Sequence, residues 1–100
     1  MSDRVYTQDE VFTAVRRLLK KYHAERAILF GSYARQEANA ASDIDLIVVG
    51  GIKFDPTDVF CIAEELHLTL GKHVDVYELR ELDANSAFYN TVMAEGVQIA

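Results

Sequence analysis

The run Asp43-Ile44-Asp45-Leu46-Ile47-Val48-Val49 sets the tightest limits on this chain, because it carries two carboxylates into an otherwise unbroken β-branched and aliphatic stretch. A continuous apolar run of this length reads as a strand buried on both faces, which demands cover above and below. Side chains alternate along a strand, so Asp43 and Asp45 project to the same side. Two carboxylates placed there repel and raise each other's pKa unless a cation lies between them. A charge buried without a partner is costly, so Asp45 is difficult to explain as a passive strand residue.

Ten residues separate this pair from Gly31-Ser32. Leu29-Phe30-Gly31-Ser32-Tyr33-Ala34-Arg35 reads as a strand entering a glycine turn and then a helix start, where free backbone N–H groups and the helix dipole favour an anion such as phosphate. Ser32 adds a hydroxyl at the same place, or serves simply as a helix cap. Arg35, three residues on, shares the helix face of Ser32 and reads either as a phosphate contact or as a surface ion pair. Hard oxygen ligands at a strand end, facing such a loop, suit Mg²⁺ held jointly by carboxylates and the phosphates of a nucleotide. These are the parts of phosphoryl or nucleotidyl transfer. A further carboxylate stands in His73-Val74-Asp75-Val76-Tyr77, expected as a short strand with Val74 and Val76 on one side and Asp75 and Tyr77 on the other. Laid beside the first strand, it would let Asp75 complete a three-carboxylate site of the kind two-metal transfer uses.

Helix punctuation orders the rest. Thr7-Gln8-Asp9-Glu10 matches a capping box, and Val11, Phe12, Val15, Leu18, Leu19 and Tyr22 recur at helical spacing behind it. The opposite face of that helix carries Arg16, Arg17, Lys20 and Lys21 and reads as solvated. A strand over 26–30 follows, then the glycine turn, then the carboxylate strand ending at Gly50-Gly51. Asp55 followed by Pro56 predicts a helix with proline at its first position, running to about Leu70 and stopped by Gly71, with an apolar stripe of Val59, Phe60, Ala63, Leu66 and Leu70. Asp83 is the expected cap of a last helix bearing Ala87, Phe88, Val92 and Met93 and ended by Gly96, before a terminal edge strand over 97–99. The expected fold is α/β, a small mixed β-sheet flanked by helices.

One hundred residues, half of them hydrophobic, with a single proline, point to one compact domain over 1–100. The net charge of −6 argues against direct nucleic-acid binding, which rests on accumulated Lys and Arg. Cys61 is the only cysteine, Met1-Ser2-Asp3-Arg4 is followed by no apolar leader, and no apolar run approaches the roughly 20 residues that span a bilayer. A cytoplasmic protein with no membrane association is expected. His23, His67 and His73 lack metal-site spacing and read as surface or helix-end residues. Cys61 reads as a small core residue. Tyr33 reads as either a base-stacking or a loop-covering aromatic, and Tyr77 as bordering the acceptor side or packing.

Gly31, Ser32, Ala34 and Arg35, then Asp43 and Asp45, then Asp75, with the closing Ala94-Glu95-Gly96-Val97, give a chain that resembles the DNA polymerase β-like nucleotidyltransferase superfamily. The likeness is closest to its minimal members, the antitoxin-like partners of HEPN proteins. The resemblance implies the nucleotidyltransferase (polymerase β-like) fold. It also implies that Gly31, Ser32 and Arg35 bind the triphosphate of ATP or another nucleotide and that Asp43, Asp45 and Asp75 are catalytic Mg²⁺ ligands, with Asp75 helping to deprotonate the acceptor hydroxyl. The implied acceptor is a tyrosine of a HEPN-domain toxin in a hetero-oligomer, modified by adenylylation. Two alternatives stay open: a non-catalytic binding module that neutralises its partner by complex formation, and a small-molecule nucleotidyltransferase. Where the family often places glycine after the arginine, this chain has Gln36, so the helix after Ser32 is expected either to run on or to enter a stiffer loop.

Overall fold

The computed structural model describes residues 4–99; the Met1-Ser2-Asp3 opening, to which the leader argument applies, lies outside them. The elements follow in the order α1 (Gln8–Lys21), β1 (Arg26–Phe30), α2 (Gly31–Ala34), β2 (Ile44–Val49), α3 (Asp58–Leu70), β3 (Val74–Glu78), a 3₁₀ turn (Leu79–Glu81), α4 (Ala87–Glu95) and β4 (Val97–Ile99). The strands form one mixed sheet in the order β3-β2-β1-β4. β1 is antiparallel to both β2 and β4, whereas β2 and β3 are parallel and joined through α3. This is the expected small mixed sheet, with the apolar β2 at its interior and the terminal β4 at one edge.

One sheet face carries most of the core. Val11, Val15, Leu18 and Leu19 of α1 and Val59, Ile62, Leu66 and Leu70 of α3 pack on Ala27, Leu29, Ile44, Leu46, Val48, Val74 and Ile99. The other face is thinly covered. There Ile28 and Ile47 meet Val92 of α4, with Phe30, Leu79 and Leu82 packed around them. The site lies on this thinner face.

Helix ends follow the expected chemistry at Thr7, Gly71 and Gly96, depart from it at the starts of α3 and α4, and decide the choice left open after Ser32. Thr7 and Glu10 form the capping box of α1, and Gly71 closes α3 at φ 68. Thr7→Ala should cost about 1 kcal/mol, and a thermal melt should fall by about 4–8 °C. At α3, Asp55 accepts from the Thr57 amide and hydroxyl, but the following amides bond three residues back in a tightened turn. The α-helix therefore starts at Asp58 rather than at Pro56. Asp83 heads a turn that leads into α4, and the helix cap is Ser86, whose hydroxyl accepts from the Tyr89 amide. Gln36 adopts φ 58, the left-handed conformation a glycine would take with less strain, so α2 ends after one turn instead of running on.

Two packing expectations, for Phe60 and Cys61, are corrected. Phe60 is 75 % exposed and Ile62 occupies the buried position, because the face α3 turns to the sheet runs through Val59, Ile62, Leu66 and Leu70. Cys61 is exposed rather than in the core. Ala87, Phe88 and Met93 are exposed, since α4 touches the sheet mainly through Val92. Among the described residues no helix is long and apolar enough to cross a membrane.

Candidate active site

Strand register assembles the site. Asp45 of β2 pairs with Phe30 of β1 on one side and with Asp75 of β3 on the other, so these three side chains form one row across neighbouring strands. Asp43 precedes β2 by one residue, and the Ile44 amide donates to the His73 carbonyl at 3.0 Å, which sets Asp43 beside the start of β3. Asp43, His73 and Asp75 consequently gather, each offering a ligand atom within 4.8 Å of the others'. His73 Nε2 lies 2.9 Å from Asp75 Oδ1.

The loop that delivers Asp43 is braced from below. Lys72, only 2 % exposed, donates from Nζ to the Ala40 carbonyl at 2.8 Å. Asn39 and Ser42 close the loop on itself, the Asn39 amide donating to Ser42 Oγ at 2.9 Å and the Ser42 amide to the Asn39 carbonyl at 3.0 Å. With its backbone groups so paired, the segment holds Asp43 at a defined place without any glycine in 37–43.

The glycine turn abuts Asp45 directly. Gly31 has φ +73, and a Cβ built there would sit 2.7 Å from Asp45 Oδ2. Only glycine accepts both the backbone angle and the approach. The N-cap of α2 is Phe30, which supplies no side-chain hydrogen bond, so Ser32 is a helical residue and not a cap. At the other end Gln8 of α1 donates from Nε2 to the Tyr33 and Ala34 carbonyls at 3.1 and 3.2 Å, pinning the short helix. Arg35 forms exposed ion pairs, Nε with Glu37 at 3.0 Å and Nη1 with Glu95 of α4 at 3.7 Å.

Electrostatics follow from this crowding. Burial, and then the charges of Asp75 and Asp43, hold the Asp45 carboxyl above its ordinary value, while His73 opposes them. Asp43, His73 and Asp75 form a donor set that accommodates a divalent cation, while Asp45, expected as a third carboxylate ligand, stands against Gly31 and is not among the residues whose ligand atoms converge there. The residues present therefore fit a metal ion.

The structure also revises the surroundings. Tyr33 is 2 % exposed and stands in the core, so it offers no ring for a base to stack on. His73 belongs to the cluster; the sequence signal for it was its position two residues before Asp75 on a strand, which returns it to the same face. Tyr77 is exposed on the carboxylate face, where it contacts Phe30 and Phe88 at ring-centroid distances of 6.4 and 6.2 Å, with Phe30 and Phe88 5.5 Å apart. No local periodicity announced this aromatic rim, because its members come from three different elements.

A mixed sheet whose acidic strand lies against a glycine turn defines an α/β domain of the nucleotidyltransferase kind. The family described as Polymerase beta, Nucleotidyltransferase matches residues 14–100, and the chain belongs to it. A protein of Methanocaldococcus jannaschii named as a candidate protein adenylyltransferase is 44 % identical over 59 residues, covering 59 % of this chain and 63 % of that protein; this chain thus spans under two thirds of that relative. A crystal structure described as a toxin-antitoxin with AMP-PNP is similar with a TM-score of 0.76 at 25 % identity, covering 89 % of this chain and 72 % of that one. Another, a tri-AMPylated HEPN toxin of Shewanella oneidensis in complex with an MNT antitoxin, has a TM-score of 0.71 at 24 % identity over 94 % of this chain and 72 % of that one, a likeness of fold.

Proposed function

We propose that this domain, over residues 1–100, transfers AMP from ATP to a tyrosine hydroxyl of a HEPN-domain partner and so acts as a cytoplasmic antitoxin. The observation that carries the reading is the row of Asp45 and Asp75 on paired strands, with Asp43 beside them and Gly31 pressed against Asp45. The names of the similar proteins, adenylyltransferase in one case and toxin-antitoxin complexes in the others, support the acceptor class. The acidic charge of the chain disfavours a nucleic-acid acceptor.

In this reading Asp43, Asp45 and Asp75 hold Mg²⁺, which when bound neutralises the triphosphate and the charge building on the departing pyrophosphate. The Gly31 turn and the Ser32 hydroxyl hold the phosphates. Arg35 joins them by exchanging its exposed ion pairs, which are worth little in water. The acceptor oxygen attacks the α-phosphorus in line, the bond to pyrophosphate breaks, and Asp75 draws off the hydroxyl proton. Tyr77 and Phe88, exposed on the carboxylate face and in contact with Phe30, give the acceptor protein an apolar rim to dock on.

With a purified HEPN partner and Mg²⁺, label should pass to the partner from α-labelled ATP and not from γ-labelled ATP, and mass analysis should place it on tyrosine. Asp43→Asn should reduce it about 100-fold or more, the scale on which a lost electrostatic contact to the transition state acts. A partner that is bound and silenced by both chains, with label on neither, would replace transfer by simple neutralisation.

A further inference from the structure

We infer that His73 is a metal ligand, and that through it this site takes a first-row divalent ion such as Mn²⁺ in preference to Mg²⁺. The inference rests on the reading of the carboxylates as a metal site and adds to it a nitrogen donor. The cluster whose ligand atoms converge within 4.8 Å is Asp43, His73 and Asp75, so the imidazole stands among the carboxylates and not behind them. His73 Nε2 and Asp75 Oδ1 are 2.9 Å apart, close enough for one ion to take a contact from each in place of their hydrogen bond. The imidazole is also open to solvent, its side chain 58 % exposed. By contrast His67 is engaged by the Lys72 carbonyl at 2.7 Å.

The position of His73 is set by the sheet and not by chance contact. Its carbonyl accepts from the Ile44 amide in the parallel β2–β3 ladder, which locks the backbone of His73 beside Asp43. Its side chain leaves the strand on the Asp75 side because the two are separated by one residue. Asp45 completes the surroundings from the neighbouring row and leans against Gly31, on the side where the phosphates would lie.

Chemistry supplies the preference. Mg²⁺ is a hard ion that favours oxygen and keeps much of its water, whereas affinities of mixed nitrogen and oxygen sites rise through the first-row divalent ions. Two carboxylates and an imidazole leave enough oxygen for Mn²⁺ and add a nitrogen from which Mg²⁺ gains little.

The test uses the full chain without nucleotide, so that protein is the only source of nitrogen. Binding of Mn²⁺ is followed by loss of the free-ion electron paramagnetic resonance signal, with Mg²⁺ as competitor, and coordination by electron spin echo modulation from ¹⁴N. Mn²⁺ should bind about tenfold or more tighter than Mg²⁺, and bound Mn²⁺ should show ¹⁴N modulation. His73→Gln, on an exposed side chain that leaves the fold intact by circular dichroism, should lose the modulation and most of the preference while Mg²⁺ affinity stays within about twofold. Bound Mn²⁺ with no ¹⁴N modulation, or modulation that survives His73→Gln, overturns the histidine ligand and leaves the carboxylate site standing. No protein-bound Mn²⁺ without nucleotide overturns the inference, and none when a non-hydrolysable nucleotide is added overturns the carboxylate site as well.

Discussion

On the proposed mechanism, Asp45→Asn is expected to lower transfer roughly a thousandfold, since several kcal/mol of charge stabilisation would leave with its carboxylate, and at the same time to raise the melting temperature of the metal-free chain. The two effects have one cause. Burial and the neighbouring charges of Asp75 and Asp43 hold the Asp45 carboxyl above its ordinary value of 3.8. A carboxyl with a raised folded pKa supports the fold when protonated: its contribution is complete below the unfolded value and is lost as pH rises through the raised one. At neutral pH the wild-type chain therefore carries a charge that the fold disfavours, and Asn does not. Melts without divalent ion should place the variant above wild type at about pH 7.5, with the gap closing below about pH 4, where ordinary carboxyls also protonate. Added Mg²⁺ or Mn²⁺ should then raise wild type more than the variant, because an ion that binds only the folded state stabilises it by mass action. A variant that melts at or below wild type at neutral pH would show that the carboxylates are not in conflict. Stability given up at a site in exchange for charge is the usual relation between the two.

Gly31→Ala should damage both fold and site. The added methyl group meets φ +73, a conformation that costs an ordinary residue about 1–2 kcal/mol. It also lands 2.7 Å from Asp45 Oδ2, so the carboxylate must turn away from the glycine turn. A displacement on the order of 1 Å near reacting groups costs about 100-fold in rate, and that is the expected loss of transfer. The two penalties can be separated. Measured on an Asp45→Ala background, Gly31→Ala should retain the backbone cost alone, and the difference between the two backgrounds measures the clash. Equal penalties on both backgrounds would mean that Gly31 is needed for its conformation and not for the approach of Asp45.

Most of the architecture and the acidic site could be read in one dimension. Thr7 with Glu10, Gly71, and the seven residues from Asp43 to Val49 specify their elements locally, because capping and side-chain alternation depend on neighbours in sequence. The same alternation placed Asp43 and Asp45 on one side before any partner strand was known. The helix starts were less legible. Asp55 and Asp83 are both good caps by type, yet each heads a preceding turn, and Thr57 and Ser86 stand at the helix starts. Gln36 by its own propensity does not announce a left-handed conformation; the glycine that the family often places there was the sequence signal for it.

What the sequence by itself determined is each element's identity and the face its carboxylates take, because both are set within a few residues by backbone periodicity. What only the tertiary structure decided is which distant residues share that face. The parallel pairing of β3 with β2 brought Asp75 level with Asp45, carried His73 to Asp43, and left Phe30, Tyr77 and Phe88 as one aromatic rim. It also sent Tyr33 inward and turned Phe60 and Cys61 outward, since a helix face is chosen by the sheet it covers and not by the composition of the helix alone.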